Sequence, residues 1–289
     1  MNYIVHLGIM VGIYLPLAYS QNLTLGFGGL ISFCHAAFYG IGAYTYAILL
    51  VDAHVHPLVS LVAAVLMTTA LAVPVAAASL KFRDDLFLFV TLGFQMIIFV
   101  ILYNWIGLTR GPYGISGIPR PELFDLTLRT PLSYMMLVIV MNILLLPLLF
   151  ALYKSPFGMI LKTLRENETA AESLGINANF VYFQALIISA GFAALPGAFY
   201  AAYVTYIDPT SFTLKESIFL VAILLVGGSG NRKGPFVGVL IMLLMPELLR
   251  FLGMPDTIAH NMREIIYGAL LIILMYARPQ GIAGEYKVS

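Results

Sequence analysis

Few side chains in this sequence have the type and spacing that chemistry needs. The run Gly227-Gly228-Ser229-Gly230-Asn231-Arg232-Lys233-Gly234 starts like a phosphate-binding loop. It lacks the Gly-Lys-Ser/Thr ending that sets a lysine on phosphate and a hydroxyl on magnesium, so it reads as a turn between two short helices. No HExxH zinc pair and no G-x-S-x-G nucleophile elbow occurs. Cys34 is the single cysteine, which excludes an internal disulfide and makes it a small apolar filler. His6, His35, His54, His56 and His260 are scattered; only His54 and His56 lie close to an acid, Asp52, where a metal or a solvated turn would account for them. No catalytic residue and no metal ligand is expected.

Two polar stretches say more. Lys154–Asn179 mixes charge with apolar residues; its Ala, Leu and Glu favour helix and Gly175 is a suitable stop. Leu161, Leu164, Thr169 or Glu168, and Glu172 do not form a clean amphipathic stripe. A short helix with an Ala170-Ala171 face fits a groove on a partner protein, and fits a solvated connector equally well. In Gly107–Pro131, the residues Gly111, Pro112, Gly114, Gly117 and Pro119 specify turns and predict a compact loop. Its arginines Arg110, Arg120 and Arg129 suit docking of carboxylates on a partner, or pairing with Glu122 and Asp125 within the loop.

The elements that must position these stretches are built for lipid. Of 289 residues, 61% are hydrophobic and 10% charged, against roughly 45–50% and about 25% in soluble proteins. The balance of 15 Lys+Arg and 14 Asp+Glu gives no basic excess for nucleic acid. Uncharged apolar runs occur at Tyr3–Tyr19, His35–Val51, Pro57–Leu80, Leu86–Ile106, Leu132–Tyr153, Phe180–Ile207, Ser217–Gly228, Gly234–Met245 and Ile265–Ala277. The first lacks a basic flank and reads as a retained span, not a cleaved signal. An all-α polytopic membrane protein of about 8–9 transmembrane helices follows, with some helices short or broken. It forms a single transmembrane domain over residues 1–289, with an outer loop 107–131 and a coupling loop 154–179.

Lys81 and Arg83, then Lys154, Lys162 and Arg165, then Arg232 and Lys233, and finally Arg278 and Lys287 mark loops for the cytoplasm, which puts the carboxyl terminus inside. No Lys or Arg precedes Lys81, so the amino-terminal side stays open. The piece Asn22–Phe33, rich in glycine, is either a broken helix at membrane depth or a connecting loop. On the first reading Gly26, Gly28, Gly29, Ser32 and His35 lie near a solute path; on the second the glycines serve tight packing. Ala190, Ala194, Ala198 and Ala202, beside Ala193, Gly197 and Ala201, make a small-residue face that puts Phe180–Ile207 inside the bundle. Gly8 with Gly12, and Gly234 with Gly238, suggest two more close contacts. The spans hold almost no ionisable group: Gln95, Asn104, Asn142 and Gln184 do not titrate, and Glu247 reads as a helix-end partner of Arg250. The spans therefore offer a path for a solute without a coupling device, and active transport would draw its energy from another subunit.

The string Arg165-Glu-Asn-Glu-Thr-Ala-Ala-Glu-Ser-Leu-Gly-Ile-Asn177 resembles the EAA-xxx-G loop of ABC-importer permeases, in the version found in branched-chain amino-acid (Liv-type) permeases. Thr169 stands where that family has an acid beside the alanines. Leu30–Thr45 resembles the family's LSLGHAAFFGIGAYT, with Cys34 for a glycine. Leu108–Pro119 resembles LTGGPNGISGIP, with Arg110 for a glycine, and Arg278–Ile282 resembles RPQGL. The outer-loop string is similar to that of the LivM-like type. The resemblance implies a permease subunit of a bacterial ABC importer in the inner membrane, moving branched-chain or other neutral amino acids, with urea or amides as alternative solutes. It implies a heterodimer with a related permease, two ATPase subunits that carry ATP and magnesium, and a periplasmic solute-binding protein, with no cofactor on this chain. It implies coupling to the ATPase through Arg165, Glu166, Glu168, Ala170, Ala171, Glu172 and Gly175. Without the resemblance, an ATP-independent transporter or channel competes.

Overall fold

Hydrophobic length and small residues set the architecture. The computed structural model describes residues 2–78, 81–82, 84–123, 126–127, 130–251, 265–266, 268–269, 271–273, 276, 278 and 280–284. Helix α1 (Asn2–Gln21) runs into a π-helical turn, Asn22–Phe27, and the chain then leaves the helix through Gly29, whose φ of +70° suits glycine. Helices α2 (His35–Val51), α3 (Pro57–Ala78) and α4 (Asp84–Asn104) follow. A short α5 (Ile106–Thr109) and strands β1 (Ile115–Ser116), β2 (Glu122–Leu123) and β3 (Leu126–Thr127) lead to α6 (Pro131–Lys154). Next come α7 (Pro156–Glu166), α8 (Glu168–Ser173), α9 (Ala178–Val204), β4 (Tyr206–Ile207), α10 (Leu214–Gly227) and α11 (Gly234–Phe251).

Five of the described helical stretches are long and apolar enough to cross a membrane: Tyr3–Phe27, Pro57–Ala78, Asp85–Asn104, Pro131–Lys154 and Ala178–Val204. The apolar helices His35–Val51 and Gly234–Met245 are shorter. Of the expected run Ile265–Ala277 only part is described, and Arg129, Asp125 and the side chains of Glu247 and Arg250 lie outside the described residues.

Helix α9 sits inside the bundle, as its alanines predict: Ala190, Ala193, Ala194, Ala198, Ala201 and Ala202 are buried. A Cβ on Gly42 would overlap the backbone of Ala194, and one on Gly197 the carbonyl of Tyr39, so α2 and α9 touch backbone to backbone. The other two glycine pairs also lie at helix crossings, the first against side chains and the second against backbone. Gly12 meets Val138 where α1 crosses α6, and Gly238 meets the Ile223 carbonyl where α10 crosses α11.

Lys162, Arg165 and Arg232 gather at one end of the bundle, here the basic end. Lys162 lies over the Phe27 ring at 4.9 Å and the Tyr19 hydroxyl donates to the Arg232 carbonyl. At the other end, the far end, His6 is hydrogen-bonded to Tyr203 at 2.7 Å. Helix α1 therefore runs from the far end to the basic end. Asn22–Phe33 is no separate span: it is the end of α1 plus a non-helical return. The far-end loop is compact, as its turn residues predict. Strand β1 pairs antiparallel with β4, matching Ile115 to Ile207, and Ile115 and Ile118 are buried.

Candidate functional site

At the basic end the loop after α6 folds into two helices. Ser155 caps α7 by accepting from the Gly158 amide at 3.3 Å, and Gly158, Leu161 and Leu164 face inward. The break at Asn167 is what interrupts the amphipathic stripe in the sequence. Asn167 caps α8, its Oδ1 accepting from the Ala170 amide at 2.9 Å. Helix α8 stops in a Schellman arrangement: Gly175 (φ +87°) donates to the Glu172 carbonyl and Ile176 to the Ala171 carbonyl. Ala171 is buried under this cap, in contact with its own chain. The surface offered outward comprises Thr169, Ala170, Glu172, Ser173 and Leu174, the last 80% exposed. The two alanines thus part company. Ala170 is available to a partner, whereas Ala171 anchors α8. Leu174 is a further exposed apolar side chain that sequence reasoning passed over, although its place beside the stop glycine marks it.

Arg165 ties this loop to the membrane part. Its guanidinium donates to the Gly26 carbonyl, and its stem lies against Gly29. A Cβ on Gly26 would strike Asn22 and Gly230, and one on Gly28 the Thr24 carbonyl. Asn22 completes the joint: it accepts from the Gly230 amide and donates to the Asn231 carbonyl, both at 3.0 Å. Ile282 and Ala283 donate to Val226 and Gly227, closing the turn between α10 and α11. Gly26, Gly28 and Gly29 therefore allow close packing in this joint, and of the three only Gly29 is exposed.

From the joint the chain re-enters the bundle and α2 starts at membrane depth. His35 Nε2 meets Ser189 Oγ at 2.8 Å, and Ser189 donates to the Ser20 carbonyl at 2.6 Å. Ser189 is 11 residues into α9, about 16 Å from its start at 1.5 Å per residue. The first amides of α2 have no helical partner. Ser217 accepts from Ala36 at 3.0 Å and Gln95 Oε1 from Ala37 at 2.7 Å. Gln95 also accepts from Ser217 and donates to the Phe212 carbonyl at 2.8 Å. Ser32 and His35 belong to this buried hub, which joins α2, α4, α9 and α10.

Next to the hub lies an acid that the sequence reading placed outside the apolar run starting at Ser217. Glu216 is in the first turn of α10 and accepts from the Tyr14 hydroxyl at 2.6 Å. Phe219 packs edge-on to Tyr14 at 5.8 Å between ring centroids, and Tyr39 and Tyr200 lie within electrostatic reach of Glu216. Glu216, Tyr14, Tyr200 and Phe219 are all partly exposed, on the flank of the chain. Helix α10 has 14 residues, too few to cross a hydrocarbon core alone, and Glu216 lies at its start beside the hub.

At the far end, Arg110 pairs with Asp52 at 2.9 Å, both about half exposed, and Arg120 donates to the Tyr203 carbonyl at 3.4 Å. Arg110 has a φ of +61°, in the region that favours glycine. Both described arginines hold the loop to its own chain; the side chains of Glu122 and Asp125 lie outside the described residues.

A family model described as the permease component of branched-chain amino acid transport systems matches residues 3–275. The chain is 33% identical, over 96% of its length and 69% of the relative's, to the Escherichia coli high-affinity branched-chain amino acid transport system permease protein LivM. It is 25% identical to a probable branched-chain amino acid transport permease LivM of Methanocaldococcus jannaschii, covering 92% of that protein. Over 29% of its length it is 32% identical to the Bacillus subtilis guanosine ABC transporter permease NupQ. No solved structure matches.

Proposed function

We propose that this chain, which belongs to the family of branched-chain amino acid transport permeases, acts as the membrane subunit of an ABC importer for branched-chain amino acids. It is a multi-pass membrane protein, and the basic end faces the cytoplasm of a bacterial inner membrane by the positive-inside rule. A related permease stands beside it, two ATPase subunits carry ATP and magnesium, and a binding protein delivers solute at the far end. The ordered far-end loop, with Tyr113 80% exposed, is the surface that receives it.

One observation carries the reading: α8 offers Ala170 and Leu174 outward at the basic end while Arg165, beside it, grips the end of α1. A motion imposed on α8 by the ATPase is thereby delivered to the point where α1 breaks and the chain re-enters the bundle. The test is uptake of labelled leucine by the importer reconstituted in vesicles. Ala170→Glu should abolish ATP-driven uptake while the chain stays inserted and paired with the other permease. Leucine uptake that persists without the ATPase subunits would assign the chain to passive transporters instead, and uptake of urea or acetamide in place of leucine would move the solute class.

A further inference from the structure

We propose that Glu216, with Tyr14, Tyr200 and Phe219 around it, is the station in this subunit that recognises the ammonium group of the solute.

Depth comes first. Tyr14, the donor to Glu216, lies 12 residues into α1, about 18 Å from its start and near the middle of the 25-residue span Tyr3–Phe27. Ser217, the next residue, is part of the buried hub. A carboxylate at such depth carries a substantial penalty even on the mildest insertion scale. One hydroxyl donor does not offset that, and among the described residues no basic side chain pairs with Glu216. Such a group is retained at membrane depth where something positive visits it.

The surroundings fit an organic ammonium. Tyr14 and Phe219 meet edge to face at 5.8 Å, and Tyr200 stands 5.5 Å from Tyr39. Aromatic faces attract a desolvated cation. The Tyr39 hydroxyl is buried without a hydrogen-bond partner among the described residues and lies in electrostatic reach of Tyr14, Tyr200 and Glu216. Unlike the hub, whose acceptors are filled by α2 amides, the station is partly exposed on the flank of the chain. A charged carboxylate favours an amino acid over urea or an amide, which present no cation. The inference rests on the amino-acid reading of the cargo and deepens it.

The test uses the complete importer in lipid nanodiscs, without its binding protein, and 3-methylbutylamine, which has leucine's ammonium and branched tail but no carboxylate. The wild type should bind the amine saturably, Glu216→Gln at least tenfold more weakly, and Tyr14→Phe, which keeps the ring but loses the donor, more weakly than wild type yet less weakly than Glu216→Gln. Acetamide should not compete. Equal binding by Glu216→Gln, or no amine binding by the wild type, overturns the proposal. So does a loss in Tyr14→Phe as large as in Glu216→Gln, because the carboxylate then serves only to hold Tyr14. Should Glu216→Gln fail to assemble, Phe219→Leu is read instead: a three- to tenfold loss supports the station and an unchanged affinity overturns it. Amine binding that depends on Glu216 in an importer that moves no amino acid would refute the cargo reading and leave the station standing.

Discussion

Replacing Arg165 by Met keeps a long apolar stem against Gly29 and removes the guanidinium that donates to the Gly26 carbonyl. A hydrogen bond from a charged donor contributes roughly 1.5–3 kcal/mol. If the grip holds in one transport state and slips in the other, its loss shifts the balance between them by that amount, about tenfold to a hundredfold. Arg165 is half-buried and water can replace part of the bond, so the lower figure is expected. The assay measures leucine uptake and ATP hydrolysis in the same vesicles. Arg165→Met should hydrolyse ATP but import about ten times less leucine per ATP, and Arg165→Lys, which keeps charge but not the planar fork, should recover part of it. Uptake per ATP within about twofold of wild type, in an assembled importer, would refute the idea that this contact carries motion from α8 to the end of α1.

Arg110→Gly should leave stability unchanged or slightly raised, because relief of about 1–2 kcal/mol of left-handed backbone cost offsets the loss of a half-exposed ion pair contributing about 0–1 kcal/mol; a clear drop in melting temperature would show the pair to be stronger than its exposure implies. Gly42→Val should separate α2 from α9 and lower the yield of assembled complex on size-exclusion chromatography, since its Cβ meets the Ala194 backbone and not a movable side chain. Gly175→Ala should cost about 1 kcal/mol locally, because φ is +87° but no atom lies within 4 Å of the new Cβ. Titration with the ATPase should show weaker binding by a few fold, with the melting temperature unmoved.

Much of the fold was legible because lipid imposes simple rules. Small residues every fourth position in α9, and the pairs Gly8/Gly12 and Gly234/Gly238, announced close helix contacts that the structure makes. The capped helix α8 could be read from composition and Gly175, but which alanine faces out could not, since six residues are too few to define a face. Depth was the other missing quantity. Hydropathy does not tell that Asn22–Phe27 prolongs α1, or that α10 starts beside the hub and carries Glu216 there. Arg110 and Asp52 are 58 residues apart, so their pairing depended on the register between two far-end loops.

The joint at the end of α1 also sets an order on biosynthesis. Asn22 finds its partner Asn231 only after 209 further residues have been made. At about 5–20 residues per second, that is a wait on the order of 10–40 s. During it the polar groups near the end of α1 have none of the acceptors and donors contributed by the α10–α11 turn. The nascent helix must meanwhile rest where water or the insertion machinery can satisfy them. A lesion in the turn, far from the amino terminus in sequence, would then be felt as a first helix that never settles, and quality control would see the fault at the opposite end of the chain from the mutation.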